Sequence, residues 1–462
     1  MENSEVDLEK VKRIFFIGIG GIGMSALARY FHQSGLIVTG YDKTETVLTK
    51  KLVEEGIRIS YVDQIEILDK AADLVVYTPA IPKDHLGWNW YQENLFPVYK
   101  RAEILGMISH YKKSICIAGT HGKTSTSSMV TYILRECGVT ASAFIGGIPT
   151  DYGTNFLFGD SDWVVMEADE YDRSFWSLSP NIASIASMDA DHLDVYGSHD
   201  VMKEGFEGFI RKINEDGVLF IMDPLQRELS KGLKSELNKK NIRIKSLGID
   251  SGEIQAQDVR VKGGQYVFDY VSQQYTITDL AMKMPGKHNV ENALVAISIA
   301  LERGCDPGDI RKAIGSFSGV KRRFETFCQT KDLVMIDDYA HHPTELRMAI
   351  DAARNLYPGK KLTGIFQPHL FSRTQDFYKE FAEVLDELDE CILIPVYPAR
   401  ELSIKGISSK TIYDELKIRN KYLVDKNKVL DHIKSSETEV LIVLGAGDID
   451  ALPAKLKELM KK

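Results

Sequence analysis

Short apolar runs rich in β-branched residues recur along this chain, and most are followed by longer stretches whose apolar positions fall three and four apart. Residues 13–19 (RIFFIGI) read as a strand and MSALARYFHQSG as the helix after it; LIVTGYD, ending at Asp42, and DLVVYTPAI read as further strands. A second block opens with the strand KSICIAG and the helix-compatible SSMVTYILREC, then runs through DWVVMEADE and NIASIASMDADH. Its tail, residues 217–285, reads as β-rich on the runs GVLFIM, GGQYVFDYV and YTITDLAMKM. After KRRFE the alternation restarts with DLVMIDDYA, KLTGIFQ, ECILIPVYP and EVLIVLGAG. Strands that alternate with helices predict βαβ units and mainly parallel sheets, because parallel neighbours need a crossover connection. Boundaries fall near residues 108 and 322, which predicts three α/β domains at 1–108, 109–322 and 323–462.

A length of 462 residues suits about three domains at roughly 150 residues each. Hydrophobic residues make up 44% and charged residues 27%, enough for packed cores, and no long Pro/Gly/Ser tract points to disorder. A net charge of −9 with dispersed basic residues gives no basic face for DNA or RNA; the densest cluster, Lys321-Arg322-Arg323, is too short for a nucleic-acid tail. The N-terminal MENSEVDLEK is acidic and polar, unlike a secretory signal, and no run of ~18 apolar residues predicts a membrane span. Cys116, Cys137, Cys305, Cys328 and Cys391 are scattered and form no C-x-x-C pair, so reduced thiols are expected rather than disulfides or a zinc site. The expected setting is the cytoplasm, with no nucleic-acid or membrane partner.

Two glycine-rich segments carry the first chemistry. GIGGIG places Gly18, Gly20 and Gly23 in a G-x-G-x-x-G pattern between a strand and a helix, with Gly21 and Ile22 inside it. Glycine there allows a tight turn and lets backbone N–H groups approach a diphosphate at a helix N-terminus. Asp42 closes the next strand, where a carboxylate can hydrogen-bond a ribose hydroxyl. The pattern by itself leaves open a dinucleotide such as NAD or a sugar nucleotide. The segment Gly119, Thr120, His121, Gly122, Lys123, Thr124, Ser125 is more specific. Its amides would wrap phosphates, Lys123 would set a point charge on the β- and γ-phosphates, and Thr124 would offer its hydroxyl to Mg2+. Ile117 stands where the common G-x-x-x-x-G-K-[ST] form has its first glycine.

The pair GIGGIGMSALA and GTHGKT resembles the Mur ligase family, ATP-dependent enzymes that add amino acids to UDP-muramic acid. MEADEYDRSF, DADHLD, GKHNVENALVA, RRFE, DDYAHHPTE, QPHLFSRT and GAGDI are similar to its landmarks, in its order, and span essentially the whole chain. The resemblance implies a Rossmann-like N-terminal domain for the UDP-sugar, a central P-loop ATPase-like domain for ATP and a Rossmann-like C-terminal domain for the amino acid. Two phosphorylated substrates would account for two cradles, and domain closure would exclude water. The landmarks are most similar to the branch that joins L-alanine to UDP-N-acetylmuramate through an acyl phosphate. That implies those two substrates with ATP and Mg2+, a cytoplasmic enzyme of peptidoglycan precursor synthesis, and a monomer or weak homodimer.

Carried over position by position, the resemblance assigns Mg2+ to Glu167 and His192 beside Thr124; Glu167 ends the apolar run DWVVME, where a carboxylate can face the sheet's C-terminal edge. Asn289 and Asn292 fall on the adenine-side motif, although Asn289 also reads as a helix N-cap. Arg323 and Asp338 fall where the family contacts phosphate and ribose. Tyr339, His341, His342 and Arg373 fall on the amino-acid side, where a guanidinium suits an α-carboxylate and a histidine can orient the amine or take its proton. The catalytic set implied is Lys123, Glu167, His192, His341 and Arg373. Two departures stand out. Several Mur ligases carry a carbamoylated lysine where this chain has Phe206 or Glu207, with Lys203 out of register, so that modification is not expected. Leu370 replaces the first arginine of a PHRxxRT pattern, which leaves Arg373, or Arg400 in YPARE, to hold the carboxylate. The alternatives are a family member that attaches a whole tripeptide in muropeptide recycling, an NAD(P)-dependent oxidoreductase built on GIGGIG, and a module that binds without catalysing.

Overall fold

The structure is a computed structural model and describes residues 6–189, 196–399, 401–434 and 436–459. The chain divides into two compact units: Met1–Gln257 with Tyr270–Ile277 and Glu291–Phe317, and Asp258–Asp269 with Thr278–Val290 and Ser318–Lys462.

The first unit opens with five parallel strands, β1 (Arg13–Ile17), β2 (Ile37–Tyr41), β3 (Arg58–Ser60), β4 (Leu74–Tyr77) and β5 (Val98–Lys100), in the order β3-β2-β1-β4-β5. The accompanying helices are α1 (Ile22–Gln33), α2 (Val47–Glu54), α3 (Leu86–Glu93) and α4 (Arg101–Tyr111). β1 explains why IFFI, the four residues after Arg13, is continuously apolar rather than alternating. Ile14 and Phe16 enter one buried cluster and Phe15 and Ile17 another, so both faces are covered. The strand order reverses beside β1, and the first glycine loop leaves the sheet at that switch point.

The central sheet contains β6 (Lys113–Ala118), β7 (Ser142–Phe144), β8 (Phe156–Leu157), β9 (Trp163–Ala168), β10 (Ile182–Ile185), β11 (Val218–Met222), β12 (Arg243–Ile249), β13 (Ile254–Lys262), β14 (Gln265–Val271) and β15 (Thr276–Met282). Their order is β15-β14-β13-β12-β11-β10-β6-β9-β7-β8. β6 pairs in parallel with both β9 and β10, so the segments leaving those three strands emerge side by side. The helices are α5 (Lys123–Glu136), α6 (His199–Ile210), α7 (Asp223–Glu228), α8 (Lys231–Lys239), α9 (Lys287–Glu302) and α10 (Pro307–Ser316). The tail expected to be β-rich holds β11 to β15, and α7 and α8 add two short helices between β11 and β12. Leu233 and Leu237, four apart, form the buried face of an otherwise polar α8, a helical period overshadowed by the β-branched runs around it.

Within the first unit, α1 is bonded to the β7–β8 edge of the central sheet. Tyr30 of α1 packs its ring on Phe144 and Phe156, with centroids 5.4 and 5.9 Å apart. Arg29, 3% exposed, donates to both oxygens of Glu55 and to Asn155 Oδ1. Asn155 in turn donates to Ser25 Oγ at 3.1 Å and to the Ile22 carbonyl. The buried guanidinium is thereby paired and hydrogen-bonded, as burial of a charge demands.

The second unit holds β16 (Glu325–Gln329), β17 (Val334–Asp338), β18 (Leu362–Phe366), β19 (Glu390–Leu393), β20 (Lys421–Leu423) and β21 (Val440–Leu444), ordered β16-β17-β21-β18-β19-β20. All pair in parallel except β16 with β17. α11 (Pro343–Leu356) and α12 (Phe371–Leu385) are crossovers. β17 is buried along its whole length, which sets two carboxylates, Asp337 and Asp338, inside at a strand end. Among the described residues no helix is long and apolar enough to cross a membrane, and all five cysteines are free thiols. Three sheets with helical crossovers make up the chain, the α/β organisation that the alternating pattern predicts.

Candidate active site

The first glycine loop turns on Gly18, whose φ of +84° lies in the left-handed region that glycine enters without strain. Gly18 and Ile19 donate to the Tyr41 carbonyl at 2.8 and 3.0 Å, and Gly20 donates to Asp42 Oδ2 at 2.7 Å. Asp42 Oδ1 accepts from Thr44 N at 3.2 Å. Both oxygens of Asp42 therefore accept from backbone N–H groups, which fixes the carboxylate beside the first loop. α1 starts at Ile22 with Gly21 as its N-cap and without a side-chain cap, an arrangement suited to an anion. Arg101 lies over this end: a Cβ on Gly23 would stand 3.0 Å from its Cδ and Nη1, and its Nη2 is 3.5 Å from Asp169 Oδ2. No motif points to Arg101; the packing of α4 near α1 brings it there.

The second loop leaves β6 where β9 and β10 also end. Gly119 and Gly122 have φ of +139° and +82°. The segment after β10 holds the loop. The Ser187 carbonyl accepts Thr120 N at 3.2 Å, and Ser187 Oγ accepts His121 N at 2.8 Å and the Thr120 hydroxyl at 2.9 Å. Thr120 Oγ1 accepts Asp189 N at 2.9 Å, and His121 Nε2 faces Asp189 Oδ2 at 3.2 Å. Thr120 and His121 are thus engaged in shaping the loop, and Ser125 is buried in the first turn of α5.

Lys123 and Thr124 open α5. The Lys123 ammonium is 2.8 and 2.7 Å from the two oxygens of Glu170 and 2.6 Å from the Gly119 carbonyl. Burial opposes this ammonium, yet the charges of Glu170, Asp169 and Glu167 outweigh it and raise the lysine pKa, so the side chain stays cationic. Thr124 Oγ1 lies 3.2 Å from Glu167 Oε2, while Glu167 Oε1 accepts from Ser127 Oγ at 3.0 Å and Gly146 N at 2.6 Å. A hydroxyl and a half-buried carboxylate converging beside a lysine are an oxygen donor pair of the kind Mg2+ takes, with water and phosphate completing its shell. The resemblance puts Asn292 beside the adenine; here it accepts the Thr126 hydroxyl at 3.0 Å, and a Cβ on Gly122 would stand 2.6 Å from its Oδ1, so it backs the loop. Asn289 sits inside the first turn of α9, its amide donating to the Pro285 carbonyl at 2.6 Å, and is not the N-cap.

In the second unit, Asp338 accepts Phe324 N and Ala340 N at 2.7 Å, one per oxygen, and so clamps the chain at the end of β17 where the resemblance puts a ribose ligand. Burial lifts its carboxyl to about 6 against the pull of Arg323, and lifts Asp337 to about 7 against that of Arg322. Arg322 reaches Asp337 Oδ2 at 3.2 Å and the Gly445 carbonyl at 2.6 Å. Arg323 lies over the Tyr339 ring at 5.1 Å, with Nη1 4.0 Å from Glu345. His341 Nδ1 is 2.9 Å from the Tyr339 carbonyl and 3.2 Å from Glu345 Oε2. Tyr339, His341 and Arg323 thus share one cluster with Glu345. His342 caps α11 by accepting Thr344 N at 3.3 Å and packs its ring on Phe377. Arg373 is buried in the first turn of α12, just after Leu370, whose φ is +69°.

His192 and Arg400 lie outside the described residues. Phe206, at the position of the carbamoylated lysine, is fully buried with its ring 5.4 Å from that of Phe175, and Lys203 pairs with Glu228 at 2.6 Å. Glu170, Arg101 and Glu345 are the polar groups that motif reading missed. Glu170 and Glu345 stand inside quoted landmarks; only their partners reveal them.

Residues 13–113 match the family model described as Mur ligase family, catalytic domain; residues 117–300 match the Mur ligase middle domain, and residues 322–447 the Mur ligase glutamate ligase domain. The UDP-N-acetylmuramate–L-alanine ligase of Christiangramia forsetii is 44% identical over 461 residues, 98% of this chain and 99% of its own. Its counterpart of that name from Phocaeicola vulgatus is 42% identical over 99% of this chain and 100% of its own. Among solved structures, the UDP-N-acetylmuramate-alanine ligase of Thermotoga maritima is similar at a TM-score of 0.81 and 29% identity, covering 97% of this chain and 99% of that one. A murein peptide ligase of Psychrobacter arcticus shares the fold at a TM-score of 0.69 and 24% identity, with 97% and 98% covered.

Proposed function

This chain belongs to the Mur ligase family, and we propose that it joins L-alanine to UDP-N-acetylmuramate at the expense of ATP. The observation that carries the chemistry is the convergence of Thr124 and Glu167 beside Lys123 at the head of α5. The near-full-length likeness to relatives bearing the L-alanine ligase name supports the choice of substrates.

A carboxylate oxygen is a poor leaving group, so amide formation in water needs activation. Transfer of the γ-phosphoryl group to the sugar-linked carboxylate gives an acyl phosphate and ADP. The amine of L-alanine then attacks the acyl carbon, phosphate departs with the C–O bonding electrons, and the ammonium formed gives up a proton. Lys123 supplies positive charge along the phosphates, and the loop from Gly119 to Ser125 wraps them, so that stabilisation is built in before transfer begins. Thr124 and Glu167 would hold Mg2+, with His192 joining them on the sequence pattern alone. When bound, Mg2+ neutralises charge gathering on the transferred phosphoryl group.

Gly18, Gly20, Gly21, Ile22 and Gly23, with Arg101, would bind the UDP diphosphate, while Asp42 keeps that loop in shape. Arg373 would hold the α-carboxylate of L-alanine. With Nδ1 of His341 donating to the Tyr339 carbonyl, Nε2 is the basic nitrogen, suited to orient the amine or accept its proton. The division at 1–108, 109–322 and 323–462 follows these three roles, and the enzyme would work in the cytoplasm. An oxidoreductase built on the first loop leaves Lys123, Thr124 and Glu167 without work.

The test is ADP release with UDP-N-acetylmuramate, ATP and Mg2+, comparing L-alanine, glycine, L-serine and the tripeptide of muropeptide recycling. Turnover with L-alanine, and its near-complete loss in Lys123→Ala, is expected. Turnover with the tripeptide alone would transfer the assignment to the recycling branch.

A further inference from the structure

We propose that Glu170 is a positioning residue of the phosphate loop: its buried carboxylate holds the Lys123 ammonium against the loop, and the terminal phosphate of the nucleotide binds by taking over one of those hydrogen bonds. This rests on reading the loop as an ATP site.

An ammonium has three N–H donors. Around Lys123 Nζ, Glu170 Oε1, Glu170 Oε2 and the Gly119 carbonyl lie at 2.8, 2.7 and 2.6 Å, with the Thr120 carbonyl farther off at 3.4 Å. A lysine matched in this way touches a phosphate only by giving up a partner. Gly119 is backbone directly after β6 and cannot turn away. Glu170 can turn only through its side chain, because its carbonyl is held by the Tyr196 hydroxyl at 2.5 Å and by Arg173 N at 3.0 Å. The exchangeable partner is therefore the carboxylate.

Burial sets the cost of that exchange. The Glu170 side chain is 1% exposed and that of Lys123 16%, so water is a poor substitute on either side. A phosphate oxygen is a fair one, since it brings its own negative charge to the ammonium. The two glutamates of EADE divide the work. Glu167 faces Thr124, Ser127 and Gly146, whereas Glu170 faces the lysine. Glu167, Asp169 and Glu170 all contribute to the charge around Lys123, so an incoming polyphosphate meets repulsion as well as attraction. Ground-state affinity for the nucleotide is thereby held below what the loop could reach, while the ammonium is kept in place for transfer. A glutamate with only a structural role would do neither.

The experiment measures Mg-ATP binding by calorimetry, together with kcat and the KM for ATP, on the full chain and on Glu170→Gln. Removing the charge while keeping the shape is expected to tighten ATP binding about tenfold, the worth of one charge-assisted hydrogen bond, and to lower kcat at least tenfold. If Glu170→Gln does not fold, Glu170→Asp is read the same way, because it draws the carboxylate back by one methylene: tighter ATP, slower turnover. ATP binding that is unchanged or weaker in a folded variant, in a wild type that binds ATP, overturns the exchange. A wild type that binds no ATP overturns the nucleotide reading itself, so the two failures are distinguishable.

Discussion

Glu167 Oε2 stands 3.2 Å from the Thr124 hydroxyl, although the two residues are 43 positions apart; the parallel pairing of β6 with β9 brings them to one sheet edge. If this pair holds Mg2+, Glu167→Gln keeps the contour but removes the charge that binds the ion. The expected result is a kcat lower by roughly a hundredfold or more, partly recovered at high Mg2+, with little change in melting temperature. ADP release titrated with Mg2+ checks it. An unaltered Mg2+ requirement would take Glu167 out of the metal set.

Only glycine fits at position 146, beside this carboxylate. A Cβ there would overlap Glu167 Oε2 and come 3.0 Å from its Cδ. Gly146→Ala is expected to push the carboxylate aside and cut kcat by up to about a hundredfold, since misplacing a catalytic group by ~1 Å costs on that scale. Steady-state kinetics beside a melting curve separate this from unfolding. A fully active, well-folded variant would show that the carboxylate position is not critical.

Arg101 lies over the uncapped start of α1 and also reaches Asp169. Arg101→Ala is expected to raise the KM for UDP-N-acetylmuramate about tenfold and to leave the KM for ATP near its wild-type value, because an arginine–phosphate contact is worth about that much. Varying each substrate at saturating levels of the others gives the answer. An effect confined to ATP would remove Arg101 from the UDP-sugar side.

Stability should depend on pH through Asp337. Burial lifts its carboxyl from 3.8 to about 7 in the folded chain. The folded state then keeps a proton that the unfolded state has lost, so stability falls as pH rises between those values. Asp337→Asn does not titrate, whereas Asp338 is present in both proteins. The melting temperature of the variant relative to wild type is therefore expected to rise from pH 5 to about pH 7 and to level off above that. A difference that stays flat or shrinks would mean that Asp337 is ionised throughout.

Much of this protein is written locally. The strand–glycine–helix passages around Gly18 and Lys123 are legible because the turn, the lysine and the helix start lie within a few residues of each other, where backbone sterics and chain direction leave little choice. The alternating pattern likewise determines α/β sheets, since a stretch of strand buried on both faces must be apolar, as Ile14–Ile17 is. Partners across the fold are another matter. Spacing marks Asp42, Asp338 and His342 as candidate ligand contacts, and it does not reveal that they also hold a loop, a strand end and a helix start. Glu170 looks like one acid among several, and Arg101 has no motif at all, until strand pairing and helix packing bring them to Lys123 and to the first loop. Spacing along a chain tells which face a side chain takes; only the register and packing of distant elements decide what it meets there.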